Sequence, residues 1–346
     1  MKILFAVNAY PPEIGGAEIA AKRIVDILTS KHKVTVLTRK INQKRPKDKE
    51  NLIETETKSS YAYMPKLKKI LNKEKYDLYI SFGFGKHFFD EIGKFCKKNE
   101  LPCIAIFTGG FHTSKNKFFK KFYESFLAKK SLQRYDKIIV ATDNEKKYWK
   151  ENFKVKDKKI IVIPHTLDEN YLKFKKTNIL KKNNLKNNKY IFYIGRLAKN
   201  KRPDILIKAF EKTNLDLKLV ISGKDTKSEE LTRLTKNKKI LFLGNISDDE
   251  KKDLMKNCKF YVFPSEYESF GLVVLEAKKF NKPILVSDIW AFRELIKDNK
   301  YFFKNNVGSL STKLIEFSKR SFSAPKIKIL NQKKAILKEV KEFEKN

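Results

Sequence analysis

Cysteine is close to absent from this chain. Three stand in 346 residues, and Cys96, Cys103 and Cys258 are odd in number, widely spaced and set in apolar stretches. That excludes a disulfide framework or a thiolate metal cluster and predicts reduced core residues. Histidine is scarce too, with four, and His32 and His87 read as surface or packing residues. No Asp-x-Asp pair stands at a strand end, so no metal site is expected. No apolar run is long enough to cross a bilayer. Ile3 to Val7 follows one Lys but runs into Asn, two Pro and Glu, too short and wrongly flanked for an export signal, so a cytoplasmic protein is expected. Acidic residues are outnumbered, 40 Asp and Glu against 77 Lys and Arg, for a formal net charge of +37. Such an excess raises nucleic acid as a partner. The lysines are scattered through every element among Asn and Ile, however, and no zinc finger, RNA-recognition signature or helix-turn-helix is present, so nucleic-acid binding is kept only as an alternative.

What the chain does have is enough apolar material, 41% of residues, for two cores. Strand and helix patterns alternate along its length, which makes it an α/β protein. A polar, charged stretch over Leu172 to Lys189 breaks the pattern before a new strand begins, dividing the chain into domains 1–172 and 173–330. A last helix is expected over Asn331 to Lys345.

The most informative run is Ser265-Glu-Tyr-Glu-Ser-Phe-Gly-Leu-Val-Val-Leu-Glu276. Phe260 to Phe263 reads as a strand closed by Pro264, Gly271 to Phe280 as a helix, and Lys282 to Ser287 as a second strand. Such a βαβ unit holds its ligand at the carboxyl ends of its strands, where Glu268, Phe270 and Gly271 fall. The unpaired amides of residues 270–273, Leu272 and Val273 among them, form the positive end of the helix and suit a diphosphate. Gly271 lets the backbone come close. A carboxylate accepts hydrogen bonds from vicinal hydroxyls, so Glu276 within the helix is placed to hold a ribose and Glu268 in the loop to meet a sugar. In Tyr193-Ile-Gly-Arg-Leu197, Arg196 follows Gly195 at a strand end. With Lys201 it offers fixed cations for a leaving diphosphate. Among 77 basic residues such a pair also arises by chance.

The Glu268 to Glu276 run resembles the Glu-seven-residues-Glu motif of retaining glycosyltransferases of family 4 (glycosyl transferases group 1). The resemblance extends along nearly the whole chain. Lys2 to Val7, the Tyr10-Pro-Pro loop with Gly15 and Gly16, and a helix over Ala17 to Ser30 match the family's opening. Asp136 to Thr142 and Ile160 to Pro164 fit the last strands of its first domain, and Leu219 to Gly223 and Leu241 to Gly244 match later strand ends. The resemblance implies a GT-B architecture, two Rossmann-like domains with a cleft between them, the first binding the acceptor and the second the nucleotide sugar, with the C-terminal helix packing back on the first. It implies metal-independent, retaining transfer from a UDP- or GDP-sugar to a glycan or lipid-linked acceptor. Gly16, Gly195, Gly223, Phe270, Gly271, Leu272, Val273 and Glu276 would line the donor, and Arg196, Lys201 and Glu268 would act in catalysis. His112, close to where the family carries a histidine facing the reacting sugar, joins them as a candidate offset by a few residues from that place. His165 stands where the family commonly shows Asn-Gly, and Asp288 to Phe292 replaces a commonly Gly-rich turn, with Glu294 retained. A catalytically silent family relative acting as a partner subunit is therefore a second alternative.

A lipid-linked acceptor would bring the protein to an anionic membrane surface, on the inner face of the cell membrane. The segment 114–130 carries Phe118, Phe119, Phe122 and Phe126 at helical spacing beside Lys115, Lys117, Lys120 and Lys121. It is the first candidate for that contact, with Ser59 to Asp77 a weaker one. Gly83-Phe-Gly85-Lys lacks the third Gly of a dinucleotide fingerprint, which argues against a nicotinamide enzyme.

Overall fold

Strands covered on both faces read as continuous apolar runs, and most strands of this protein are of that kind. In the computed structural model, which describes residues 1–13, 15–43, 45, 48–58, 62–107, 127–223, 228–327 and 331–344, the chain divides into two units. One comprises residues 1–166 with 330–346, the other 167–329.

The first unit holds β1 (Lys2–Val7), β2 (Lys33–Arg39), β3 (Asn51–Thr55), β4 (Leu78–Phe82), β5 (Cys103–Ile106), β6 (Lys137–Val140) and β7 (Ile160–Val162). They form one parallel sheet in the order β3-β2-β1-β4-β5-β6-β7. Helices α1 (Gly16–Thr29), α2 (Leu67–Lys73), α3 (His87–Lys98), α4 (Lys129–Gln133) and α5 (Asp143–Phe153) connect them. Helix α1 buries Ala20, Ala21, Ile24, Val25, Ile27 and Leu28 along one stripe, the spacing that an amphipathic helix on a sheet requires. Thr142 caps α5 by accepting from the Glu145 amide at 3.1 Å. The C-terminal helix (Gln332–Lys341) puts Ile336 and Val340 into the same core as α1. Its Glu339 accepts from Lys137 Nζ at 2.6 Å.

The second unit holds β8 (Tyr190–Ile194), β9 (Lys218–Ser222), β10 (Ile240–Phe242), β11 (Phe260–Phe263), β12 (Ile284–Ser287) and β13 (Phe302–Phe303), all parallel, in the order β10-β9-β8-β11-β12-β13. Its helices are α6 (Ile179–Lys182), α7 (Pro203–Glu211), α8 (Ser228–Thr232), α9 (Asp248–Asn257), α10 (Leu272–Lys279), α11 (Trp290–Leu295) and α12 (Val307–Lys319). Helix α9 starts on a reciprocal capping box between Ser247 and Glu250. In both sheets the strand order reverses beside the first strand, the crevice where open parallel sheets hold ligands. Two parallel Rossmann-type sheets are the fold class expected of the sequence.

Some bounds differ from expectation. Helix α10 begins one residue later than Gly271, which takes a left-handed φ of 89° and serves as its N-cap. Strand β12 begins at Ile284 rather than Lys282, because Lys282 turns its ammonium to the Cys258 carbonyl at 2.7 Å and Pro283 has no N–H to give the ladder. Cys96, Cys103 and Cys258 are buried and free. No helix among the described residues is long and apolar enough to cross a membrane.

Candidate functional site

The second sheet reverses its order between β8 and β11, so the loops that leave those strands flank its crevice. After β8 the chain passes Gly195, Arg196 and a short turn over Lys199–Lys201 into α7. After β11 it passes Pro264 to Gly271 into α10. Two main-chain contacts fix the mouth of the crevice: Gly195 N–H donates to the Ser222 carbonyl at 3.1 Å, and Gly223 N–H to that of Gly244 at 2.8 Å.

The two loops are stitched together. The Glu266 amide donates to the Asn200 carbonyl at 2.9 Å, and the Arg202 guanidinium bridges the Glu266 carboxylate and Asp204, its Nε 3.0 Å from Asp204 Oδ1. This lattice sets Lys201 Nζ 2.6 Å from Glu268 Oε1, with both side chains about one-sixth exposed at 16% and 17%. Ser265 Oγ donates to the same carboxylate oxygen at 2.8 Å, and Ser287 Oγ donates to the Ser265 carbonyl, tying in the end of β12. Lys201 and Glu268, 67 residues apart in sequence, thus form one ion pair that joins the two loops. Arg196 is exposed and makes no ion pair among the described residues. Its carbonyl accepts from the Tyr193 hydroxyl at 3.2 Å.

At the start of α10, Phe270 and Gly271 are buried while Leu272 and Val273 are half-buried. The Val274 amide turns back to the Gly271 carbonyl at 2.9 Å, so the Leu272 and Val273 amides are the free N–H groups that a helix end presents. One turn further, Glu276 is buried and its Oε1 accepts from two groups that the sequence reading did not single out. They are the Tyr171 hydroxyl at 2.5 Å and Lys251 Nζ at 3.2 Å. Burial and the Glu276 charge push the Tyr171 phenol well above its usual range. Burial works to lower the Lys251 ammonium, but Glu276 and Asp248 outweigh it, and the group ends above its usual value. The turn before α11 is closed by Arg293, which holds Asp288 at 2.6 and 2.8 Å. Trp290 there lies 6.3 Å from the Tyr267 ring.

In the first unit the Tyr-Pro-Pro loop leaves β1 and is gripped by the buried Arg45. That guanidinium donates to the carbonyls of Tyr10 and Pro11, to that of Arg39 at 2.9 Å and to Glu54 Oε1 at 2.8 Å. Gly16 opens α1 onto empty space, with nothing within 4 Å of where a Cβ would stand. His165 is buried beside the C-terminal helix, its Nδ1 3.4 Å from Gln332 Nε2. Burial lowers its pKa to about 4. It is a packing group of the first unit, in line with the sequence departure noted at that position. His112 and residues 114–126 of the 114–130 segment lie outside the described residues. Among the described residues one group of acids, Asp26, Asp48 and Glu50, comes close enough to share an ion. Lys22 already lies among them, 2.6 Å from Asp48 and 3.9 Å from Glu50.

Neither Tyr171 nor Lys251 carried a local signal: Tyr171 lies 105 residues from Glu276, and Lys251 is one lysine of the α9 face. Arg45 was hidden the same way, in a stretch that reads as solvated charge.

Against known proteins, residues 14–171 match the family model described as Glycosyltransferase Family 4 and residues 175–334 that of Glycosyl transferases group 1. An uncharacterized glycosyltransferase of Methanocaldococcus jannaschii is 27% identical over 331 residues, 86% of this chain and 83% of that one. The N-acetylgalactosamine-N,N'-diacetylbacillosaminyl-diphospho-undecaprenol 4-alpha-N-acetylgalactosaminyltransferase of Campylobacter jejuni is 28% identical over 206 residues, 58% of this chain and 52% of its own. Among solved structures, the Anabaena protein HepE in complex with UDP-glucose superposes with a TM-score of 0.73 at 16% identity. That match covers 99% of this chain and all of the other, a likeness of fold.

Proposed function

Because this chain belongs to the family 4, group 1 glycosyltransferases of GT-B fold, we propose that it moves a sugar from a nucleotide-sugar donor to a glycan or lipid-linked acceptor with retention of configuration. The observation that carries this reading is the convergence of Lys201, Glu268 and the amino end of α10 at the reversal point of the second sheet. A diphosphate needs cations and free amides, and a hexose needs a fixed carboxylate to accept from its hydroxyls. All three are supplied within two stitched loops.

In this reading the Leu272 and Val273 amides, with Lys201 and Arg196, hold the diphosphate. Gly195, Gly223 and Gly271 let the main chain approach it, and Phe270 packs beneath. Glu268 receives hydroxyls of the donor sugar and Glu276 those of the ribose. The acceptor hydroxyl attacks the anomeric carbon on the face from which the diphosphate departs. The bond from that carbon to the diphosphate oxygen breaks, the new glycosidic bond forms, and a diphosphate oxygen takes the acceptor's proton. The fixed cations stabilise the charge that grows on the leaving oxygen, without a metal ion in this scheme. The first unit takes the acceptor. UDP-glucose in the HepE complex supports a UDP-sugar as donor. The diphospho-undecaprenol in the name of the C. jejuni relative supports a lipid-linked acceptor, which would draw the protein to a membrane surface.

The test is release of nucleoside diphosphate from UDP-, GDP- and ADP-sugars, with and without membrane lipid extract, using Glu276→Ala as control. Release from one donor, raised by lipid and lost in the variant, is expected. No release and no binding with any donor would overturn the reading in favour of a silent partner subunit or a basic nucleic-acid-binding protein.

A further inference from the structure

The carboxylate of Glu276 is held by protein groups through one of its two oxygens. Both of its donors reach the same oxygen, Oε1: the Tyr171 hydroxyl at 2.5 Å and Lys251 Nζ at 3.2 Å. No hydrogen bond among the described residues reaches Oε2. Each donor is itself anchored. Lys251 also meets Asp248 Oδ1 at 3.0 Å, and Lys252, paired with the other Asp248 oxygen at 2.6 Å, stands 4.8 Å from the centre of the Tyr171 ring. The Tyr171 ring further leans on Phe280 at the end of α10. Lys251 Nζ, 5.4 Å from the centre of the same ring, completes a closed set in which two cations, a phenol and two carboxylates fix one another.

We propose that Tyr171 and Lys251 are positioning residues for the donor: they pin Glu276 through Oε1 so that Oε2 is presented, already oriented, to the vicinal hydroxyls of the donor's ribose. This inference rests on the assignment of Glu276 to the ribose. An unpinned Glu must lose the freedom of three side-chain torsions when a ligand binds, and holding a side chain beforehand removes that cost from the binding step. With both donors on Oε1, the acceptor sites of Oε2 are left for hydroxyls of a ligand. Lys251 keeps its proton well past neutrality, since its pKa lies above the ordinary lysine value, so the ammonium remains a donor to Oε1 there. The position of Tyr171 adds a link in the chain. It stands in the segment by which the polypeptide enters the second unit at Leu167, so that entering segment and the donor helix share one hydrogen bond.

The role makes a claim about ground-state donor binding and none about the bond-breaking step. Tyr171→Phe and Lys251→Met, assayed in the full-length protein, are expected to raise KM for the nucleotide sugar three- to tenfold. The same factor should appear in Kd for the free nucleoside diphosphate by calorimetry, with kcat within twofold of wild type. Lys251→Arg, which keeps the charge and the donor, should restore most of the loss. A merely structural role predicts something different: equal falls in kcat and stability, with no selective effect on nucleotide affinity and no rescue by Arg. Wild-type KM and Kd in Tyr171→Phe and Lys251→Met, alongside lost binding in Glu276→Ala, would overturn the positioning role and leave the ribose assignment standing. Unchanged nucleotide affinity in Glu276→Ala itself would remove the assignment and this inference with it.

Discussion

Gly223 lies with its α-carbon against the carbonyl of Gly195: a Cβ added at 223 would stand 1.7 Å from that oxygen and 2.7 Å from its carbon. The contact joins the ends of β9 and β8, and it is main chain against main chain, so no side chain can swing aside. Gly223 also has a φ of 152°, a region that L side chains rarely adopt. Gly223→Ala should therefore cost about 3 kcal/mol or more, from strained backbone and displaced strand ends together. For a unit of this size that is a fall in apparent Tm of roughly 6–12 °C. Gly16→Ala is the contrast, since nothing lies within 4 Å of its Cβ and Ala suits the first turn of a helix. Its Tm should be unchanged or higher. Equal melting of the two variants by differential scanning calorimetry would refute the assignment of strain to position 223.

The Lys201–Glu268 pair separates structure from catalysis through a double-mutant cycle. If each group works on substrate, Lys201→Met and Glu268→Gln should each lower turnover about a hundredfold or more, the scale of removing one charge-stabilising donor. If the pair serves only to hold its two loops together, each single change leaves an unmatched charge and the double change should recover both stability and activity. We expect the double variant to recover stability while turnover stays as low as in the worse single variant. Recovery of turnover would remove both residues from the chemistry.

Much of this arrangement was legible in the chain before folding. The apolar runs Lys2–Val7 and Phe260–Phe263 are strands with those bounds, because strands covered on both faces of a parallel sheet must be apolar throughout. The Glu268 to Glu276 spacing was visible for a similar reason: loop, Gly and helix are all local. What stayed hidden is held across distance. Glu266 grips Arg202 and Glu276 meets Tyr171 only after β8 and β11 have paired, and no spacing rule reports contacts between residues 64 or 105 positions apart. The abundance of Lys concealed Lys251 and Arg45 alike, since a cation that is buried and paired looks in sequence like one that is solvated.

His165 should make the protein less stable in acid. Its imidazole is buried, and burial holds its pKa at about 4 against an ordinary value of 6.5. Thr166 donates through its amide and hydroxyl to Gln332 Oε1 at 3.3 and 3.1 Å, which leaves the Gln332 amide nitrogen facing His165 Nδ1 as a donor. The neutral ring can accept there, and the protonated ring cannot. Between pH 6.5 and 4 the unfolded chain takes up a proton at this residue that the native protein refuses, so stability falls as pH drops through that window. The loss approaches roughly 3 kcal/mol by pH 4, the value to which burial holds the native ring. His32 and His87 are also lowered by burial and contribute in any variant that keeps them. Urea unfolding at pH 4.5, 5.5, 6.5 and 7.5 should thus show a shallower decline for His165→Gln than for wild type. Parallel curves would mean that His165 does not carry the effect.

Arg45 offers the sharpest test of how the Tyr-Pro-Pro loop is held. One guanidinium satisfies the Tyr10, Pro11 and Arg39 carbonyls and pairs with Glu54, while its side chain is only 4% exposed. Four acceptors spread around one planar group suit the fork of an arginine, and a single lysine ammonium cannot reach them all. Arg45→Met would leave three carbonyls without this donor and a carboxylate without its cation. The loss should be on the order of 1–3 kcal/mol, the scale of leaving buried acceptors without their donor, since the Glu54 carboxylate is itself one-third exposed. Arg45→Lys should recover less than half of it, because only one or two of the four bonds can re-form. The loop leads into α1 at Gly16, so the local opening should also appear as faster amide hydrogen exchange in β1 and the first turn of α1, with β8 to β13 of the other unit unaffected. If Arg45→Lys melted and exchanged like wild type, the loop would be held by charge alone and the geometric fit of the guanidinium would be irrelevant. The three carbonyls facing one side chain argue that the fit is what matters, and the exchange pattern decides it.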